Sequence, residues 1–347
     1  MRLLLCGPGA SWATHDVYTG LLAGLKATGH LVEEYALGAR LNASRVLLEY
    51  LWRKQCREGG PLKDVRPNAA DVQYHAGQGL LERALRFEPD WVVVVCAAYL
   101  HPDVLILARR AGLRLAAVFT ESPYDDAEQA KVAPLFDVCF TNERTSVDVL
   151  RRANPETHYL PAAYDPATHG PQADPGPAGE QPDVVFVGTG FASRVELLSQ
   201  VDWRGIDLRL FGWWEDVGAG HPLLPYVHKG LIDNARAGQV YRRAKLALNL
   251  YRRPRFGARA ESLNPRAYEL AADGVFTISQ HRAEVAQKFG QLVPEFHSPK
   301  QLEGLVRHHL RDEKARTAAG RCLAGLVAHD TYQHRAARLV AHLGAQD

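Results

Sequence analysis

The sequence predicts an α/β protein of two Rossmann-like domains facing a cleft. Three observations carry this. Strand and helix signals alternate along the chain twice, a Pro/Gly-rich stretch separates the two runs, and the chain is 347 residues long with 46% hydrophobic content. That length exceeds one ordinary core, so two domains of roughly 150 to 170 residues each are expected. The boundaries read as a first domain over 1–164, a linker over 165–182, a second domain over 183–330 and a closing helix over 331–347.

In the first half, RLLLC (2–6) is a strand, GPGASWATHD a Gly-rich loop, and VYTGLLAGLKATG (17–29) a helix. A strand in HLVEEYAL and helices over about 41–57 and 71–87 follow. DWVVVVCA (90–97) is a continuous apolar run, as a parallel strand buried on both faces requires. Helix 101–111, strand 114–120, a short helix near 126–133, strand 137–142, helix 143–152 and a strand in THYLPAA complete the alternation. Residues 165–182, DPATHGPQADPGPAGEQP, have no periodicity and read as a linker. A second alternation then runs through strand 183–190, helix 193–200, strand 206–213, a strand HKGLI (228–232), helix 234–243, strand 245–251, a helix near 265–272 and the strand VFTIS. The tail from about 299 is helical, with a last helix near 331–343.

A formal charge of +2 gives no electrostatic case for a nucleic-acid surface. Five cysteines without CxxC spacing suggest a reducing compartment, with Cys6, Cys96 and Cys139 in apolar runs as buried thiols. The apolar start MRLLLC is too short for a signal peptide, and no stretch approaches the ~20 apolar residues of a membrane span. A cytoplasmic location is the expectation.

The stretch ESLNPRAYELAADGVFTISQHRAEV (261–285) carries the most chemistry. Asn264 is a good N-cap, Pro265 suits the first helical turn, and Gly274 supplies a left-handed stop. Glu261 then precedes a helix N-terminus and Glu269 lies on its second turn, directed to the same side of the cleft. Backbone amides at a helix N-terminus attract phosphate, while carboxylates accept hydrogen bonds from sugar and ribose hydroxyls. Together they describe a nucleotide-sugar site. The competing reading is an ordinary amphipathic helix with solvated glutamates.

The same stretch resembles the donor-site signature of GT-B glycosyltransferases, and most closely the C-terminal domain of the CgeB-like family, which carries N-x-R-x-x-E-x-x-A-x-G before a strand. Asn264, Arg266, Glu269, Ala272 and Gly274 carry the match. The closing AHDTYQHRAARLV (328–340) is similar to the family's His-Thr-Tyr-x-x-R helix, with Asp330 inserted between His329 and Thr331. The resemblance spans about residues 183–340. It implies a GT-B fold whose last helix crosses back to the first domain, a metal-independent transfer of sugar from a nucleotide-diphosphate sugar (a UDP-sugar favoured) to an acceptor hydroxyl, and no obligatory cofactor. It also implies Glu269 on the ribose and Glu261 toward the sugar, although E-S-L-N stands here where retaining relatives have E-G-F-G.

Other residues at strand ends fit this reading. Gly188 and Gly190 in VGTGFASR permit backbone approach to a diphosphate, with Arg194 as a phosphate cation; a plain tight turn is the alternative. Arg252, Arg253, Arg255 and Arg259 form either a phosphate-binding loop or a solvated charge run, and Arg266 is the preferred single cation. In the first domain, Gly7 and Gly9 permit close approach and Trp12 offers a stacking plane. His15 and Asp16 form a possible acid/base pair, with Glu121, Asp125 and Asp126 as rival bases and His101 behind them. No HExxH, metal-spaced Cys/His set or DxD marks a metal site. The competing functions are a GT-B sugar-nucleotide 2-epimerase, a transferase acting on modified nucleobases in DNA, a Rossmann dehydrogenase and a non-catalytic nucleotide-sugar binder. The acceptor is open between a glycan, a small molecule and modified DNA.

Overall fold

The computed structural model describes all residues except 11–13, 175–178, 229, 255–257 and 346–347. The chain divides into two compact units, Met1–Pro161 with Gln333–Asp347, and Ala162–Tyr332. In each, buried parallel strands lie beneath helices.

The first unit runs β1 (Arg2–Cys6), α1 (His15–Ala27), β2 (Leu31–Tyr35), α2 (Leu37–Glu58), α3 (Ala69–Phe87), β3 (Trp91–Val95), α4 (Pro102–Arg110), β4 (Leu115–Phe119), α5 (Asp126–Val132), β5 (Val138–Thr141), α6 (Ser146–Arg151) and β6 (Thr157–Tyr159). Its six strands are parallel in the order β2-β1-β3-β4-β5-β6. Every residue of β3 and β4 is buried, which is why WVVVV and LAAVF are uninterrupted apolar runs rather than alternating ones. The sheet order reverses between β1 and β3, so their carboxyl ends flank a switch point.

The second unit runs β7 (Val184–Val187), α7 (Ala192–Ser199), β8 (Leu208–Phe211), α8 (Asn234–Arg243), β9 (Leu246–Asn249), α9 (Pro265–Ala272), β10 (Thr277–Gln280), α10 (Ala283–Phe289), β11 (Glu295–Phe296), α11 (Pro299–Leu310) and α12 (Glu313–Leu326). Its strands are parallel in the order β11-β10-β9-β7-β8, with the switch point between β7 and β9. The last helix, α13 (Tyr332–Gly344), belongs from residue 333 to the first unit, as the resemblance implies. There His342 packs on Phe140 and His158, and Arg335 donates to the Pro161 carbonyl at 3.1 Å.

Two sequence expectations need correction. HKGLI forms no strand among its described residues; a single bridge joins Leu210 to Val227, and Gly230 at φ 97° turns the chain out of extended geometry. The segment expected as a linker begins inside the second unit. Thr168 and His169 close a turn on the Asp165 carbonyl, His169 is fully buried, and the Gly170 amide donates to Asp273 at 2.8 Å. Residues 175–178 of that segment lie outside the described residues.

Trp91 is among the largest fully buried side chains, at the start of the central strand β3 with Arg114 over its ring. Truncation should leave a cavity that parallel strands cannot close. Trp91→Ala is expected to lose about 3–5 kcal/mol in chemical denaturation followed by circular dichroism.

Candidate active site

The candidate donor site is built at the carboxyl ends of β7 and β9, where the second sheet changes direction, the position at which open α/β sheets bind ligands. Helix α9 enters this region with the caps its sequence predicts. The Asn264 side chain accepts from the Ala267 amide at 3.1 Å, Pro265 occupies the first turn, and Gly274 leaves at φ 65°. The free amides of its first turn therefore face the end of the sheet.

Arg266 and Gly188 meet at this point. The Arg266 guanidinium lies over the Phe186 ring at 4.9 Å, and a Cβ on Gly188 would lie 2.6 Å from its Nη2. Gly188 is thus required by the arginine as well as by its own φ of 153°. Among the described residues, Arg266 Nε is buried without a hydrogen-bond partner, which leaves donor capacity at the strand end. Tyr241 is buried beside it. Burial pushes the Tyr241 hydroxyl up, and the Arg266 charge opposes that rise. Gly190 donates its amide to the Trp213 carbonyl at 2.7 Å, and any side chain there would run into the Trp214 ring.

Arg194 does something other than the phosphate contact expected of it. It is buried, donates to the carbonyls of Thr189 at 2.9 Å and Leu250 at 2.8 Å, and stacks between Phe186 and Phe191. Its charge is spent joining the turn after β7 to the end of β9, which fixes the glycine loop. Arg253 is exposed and 4.0 Å from Glu196, and Arg252 stacks on Phe191. Arg259 pairs with Glu261 at 2.7 Å, so Glu261 sits at the outer end of the basic loop. Arg255 lies outside the described residues.

Glu269 points inward, its residue only 8% exposed. Its Oε1 receives the Asn234 side-chain amide at 3.3 Å and lies 3.9 Å from His169 Nε2. Nδ1 of His169 is 2.8 Å from Asp273 Oδ2, while Asp273 Oδ1 accepts from the Gly170 amide at 2.8 Å and from Arg242 at 2.5 Å. Burial alone would push His169 below its ordinary value, but the Glu269 and Asp273 carboxylates outweigh it and hold it raised. Glu269 and Glu261 thus have separate partners, Glu269 facing α8 and Glu261 facing Arg259. Composition gave no sign of His169, Asp273 or Asn234. The nearest local signal was the turn-forming Asp165-Pro166 pair just before His169.

In the first unit, the candidates gather at the ends of β1, β3 and β4. His15 opens α1 and is exposed with Asp16 beside it. Gly9, at φ 68°, packs against Tyr99. Glu121 follows β4, where its carbonyl receives the amides of Tyr124 at 2.8 Å and Asp125 at 3.1 Å. His101 caps α4 by accepting from the Asp103 amide at 3.2 Å, and Asp126 accepts from Ser146 Oγ at 2.6 Å; both therefore hold structure. Trp12 lies outside the described residues. Among the described residues no group of three or more His, Cys, Asp or Glu side chains is placed to hold a metal ion, and no helix is long and apolar enough to cross a membrane.

The chain has the GT-B fold of two parallel-sheet Rossmann-like domains, and solved structures of that fold align over 99% of it. Residues 194–341 match the glycosyl transferase-like family model. AviGT4, a glycosyltransferase involved in avilamycin A biosynthesis, aligns at TM-score 0.61 and 17% identity over 99% of this chain and 97% of its own. A trehalose-6-phosphate protein from E. coli bound with UDP-2-fluoro glucose aligns at 0.59 and 11% over 99% of each chain. A putative UDP-N-acetylglucosamine 2-epimerase from Listeria monocytogenes aligns at 0.59 and 11% over 99% and 96%. No curated protein matches the chain.

The Glu269 and Asp273 carboxylates hold His169 above its ordinary value despite burial, which makes stability depend on pH. Its contribution is fully present below the unfolded histidine value of about 6.5 and is lost as pH rises through the folded value. The melting temperature should therefore fall on the alkaline side more steeply for the native protein than for His169→Asn. Parallel slopes in thermal unfolding between pH 6 and 9 would refute a charged His169.

Proposed function

We propose that the chain is a glycosyltransferase, moving a sugar from a nucleotide-diphosphate sugar, a UDP-sugar favoured, to an acceptor hydroxyl. The observation that carries this reading is the meeting of Arg266, Gly188 and the α9 N-terminus at the switch point of the second sheet, inside the segment that matches the glycosyl transferase-like model. The α9 amides and the backbone of Gly188–Gly190 receive the diphosphate, and Arg266 meets its charge. Glu269 accepts the ribose hydroxyls, while Glu261, with Arg259 and Arg253 nearby in sequence, lies toward the sugar. Charge developing on the departing diphosphate is offset by fixed dipoles and guanidinium groups, a metal-independent scheme needing no obligatory cofactor.

The acceptor hydroxyl loses its proton to a base of the first unit, for which His15 with Asp16, and Glu121, are the candidates. His15 and Asp16 are exposed at the opening of a helix, and Glu121 ends a buried strand. The acceptor itself is a glycan, a small molecule or modified DNA. The pattern Asn264-x-Arg266-x-x-Glu269-x-x-Ala272-x-Gly274 supports a CgeB-like member of the group. The likeness to a putative 2-epimerase keeps one rival reading, in which the donor sugar is altered and no acceptor is used.

Thermal shift against UDP, GDP, ADP, TDP, CMP and NAD checks the donor site. One diphosphate is expected to raise the midpoint with its concentration, and Arg266→Ala and Glu269→Gln to weaken that response at least tenfold. A shift with NAD alone, or none with any diphosphate, sinks the reading. Turnover of the sugar nucleotide without acceptor would move the assignment to the epimerase.

A further inference from the structure

The transfer chemistry above leaves the fully buried His169 without a task. We propose that His169, braced by Asp273, is a positioning residue that holds one oxygen of the Glu269 carboxylate and directs the other to the donor ribose. The inference rests on the donor-site reading of Glu269.

The geometry is specific. His169 lies in the turn that starts at Asp165 and is 0% exposed. The turn docks on α8 because Gly238 has no side chain; a Cβ there would lie 3.0 Å from the Thr168 carbonyl oxygen and 3.2 Å from His169 Nδ1. Asp273 fixes the ring from one side. Its carboxylate accepts from Nδ1–H, the Gly170 amide and Arg242. The ring is then locked with Nε2 aimed at Glu269.

Nε2 is buried and, among the described residues, has no hydrogen-bond partner. At 3.9 Å from Glu269 Oε1 the pair is too long for a hydrogen bond, yet opposite charges at that range inside a protein interact strongly. Asn234 approaches the same oxygen, at 3.3 Å. Both holding contacts thus go to Oε1, and among the described residues Oε2 receives no hydrogen bond. An imidazolium at this place attracts Oε1 and so selects which oxygen faces outward. The groups facing His169 are Glu269 from α9, Asp273 just after it, and Asn234, Tyr241 and Arg242 from α8. Raising the pH through the raised His169 value removes the cation and should loosen donor binding.

A packing residue between two helices would also matter for stability, so the test reads binding through a double-mutant cycle. Calorimetric titration uses the nucleoside diphosphate selected by the panel above, with UDP expected, on the full chain. His169→Gln is expected to weaken binding about tenfold and to abolish the alkaline fall in affinity of the native protein. Glu269→Gln should weaken binding at least as much, and the double variant should bind no worse than Glu269→Gln alone. Should His169→Gln fail to fold, Asp273→Asn takes its place in the same cycle. Effects that multiply independently, or an alkaline fall unchanged in the variant, overturn the inference while leaving the donor site standing. Native protein that binds no diphosphate, or Glu269→Gln that binds as the native chain does, overturns the donor reading and this inference with it.

Discussion

The Asp273 carboxylate, wholly buried at the end of α9, is the interaction on which the second unit's site depends. A buried carboxylate is costly unless it is paired and hydrogen-bonded, and here the Gly170 amide, His169 and Arg242 supply that. Those three donors come from the turn at 165–170 and from α8. One anion therefore ties together a segment that enters the unit, the helix after β8 and the helix after β9. Removing one partner of such a buried set costs on the order of 3–5 kcal/mol, because the remaining charges are left unpaired. The position of α9, and with it the aim of Asn264, Arg266 and Glu269, follows from this knot.

The two arginines near Phe186 show how one residue type divides between scaffold and ligand. Arg194 and Arg266 both place their guanidinium groups about 5 Å from the same ring. Arg194 spends its two terminal nitrogens on backbone carbonyls and closes the junction between β7 and β9. Arg266 lies beside the buried Tyr241 hydroxyl and presses against Gly188. Sequence spacing cannot separate these roles. Both are arginines beside a glycine loop, and only the carbonyls that each one reaches decide which is structural.

What the sequence could express was set by the range of the forces involved. The α9 boundaries were legible to the residue because Asn264, Pro265 and Gly274 act within one turn of the chain. The β3 run WVVVV was legible because burial on both faces leaves a purely local signature. His169 was not. Its stretch is rich in Pro and Gly, which marks irregular backbone correctly but says nothing of a contact with Asp273, 104 positions away. The strand expected at 228–232 failed for the opposite reason. Its composition was apolar enough, yet Gly230 breaks the extended geometry and leaves a lone bridge at Val227. The two-residue β11 is too short to show any period.

A consequence follows for how Glu269 works within a fold that serves many chemistries. The one arginine of α9, Arg266, is turned toward Phe186 and Gly188. The charge facing Glu269 comes instead from a turn remote in sequence, through an imidazole held by a second carboxylate. The site is therefore made only when the segment at 165–170 has docked on α8. The glutamate of the recognisable motif is faced by a residue that the motif does not contain.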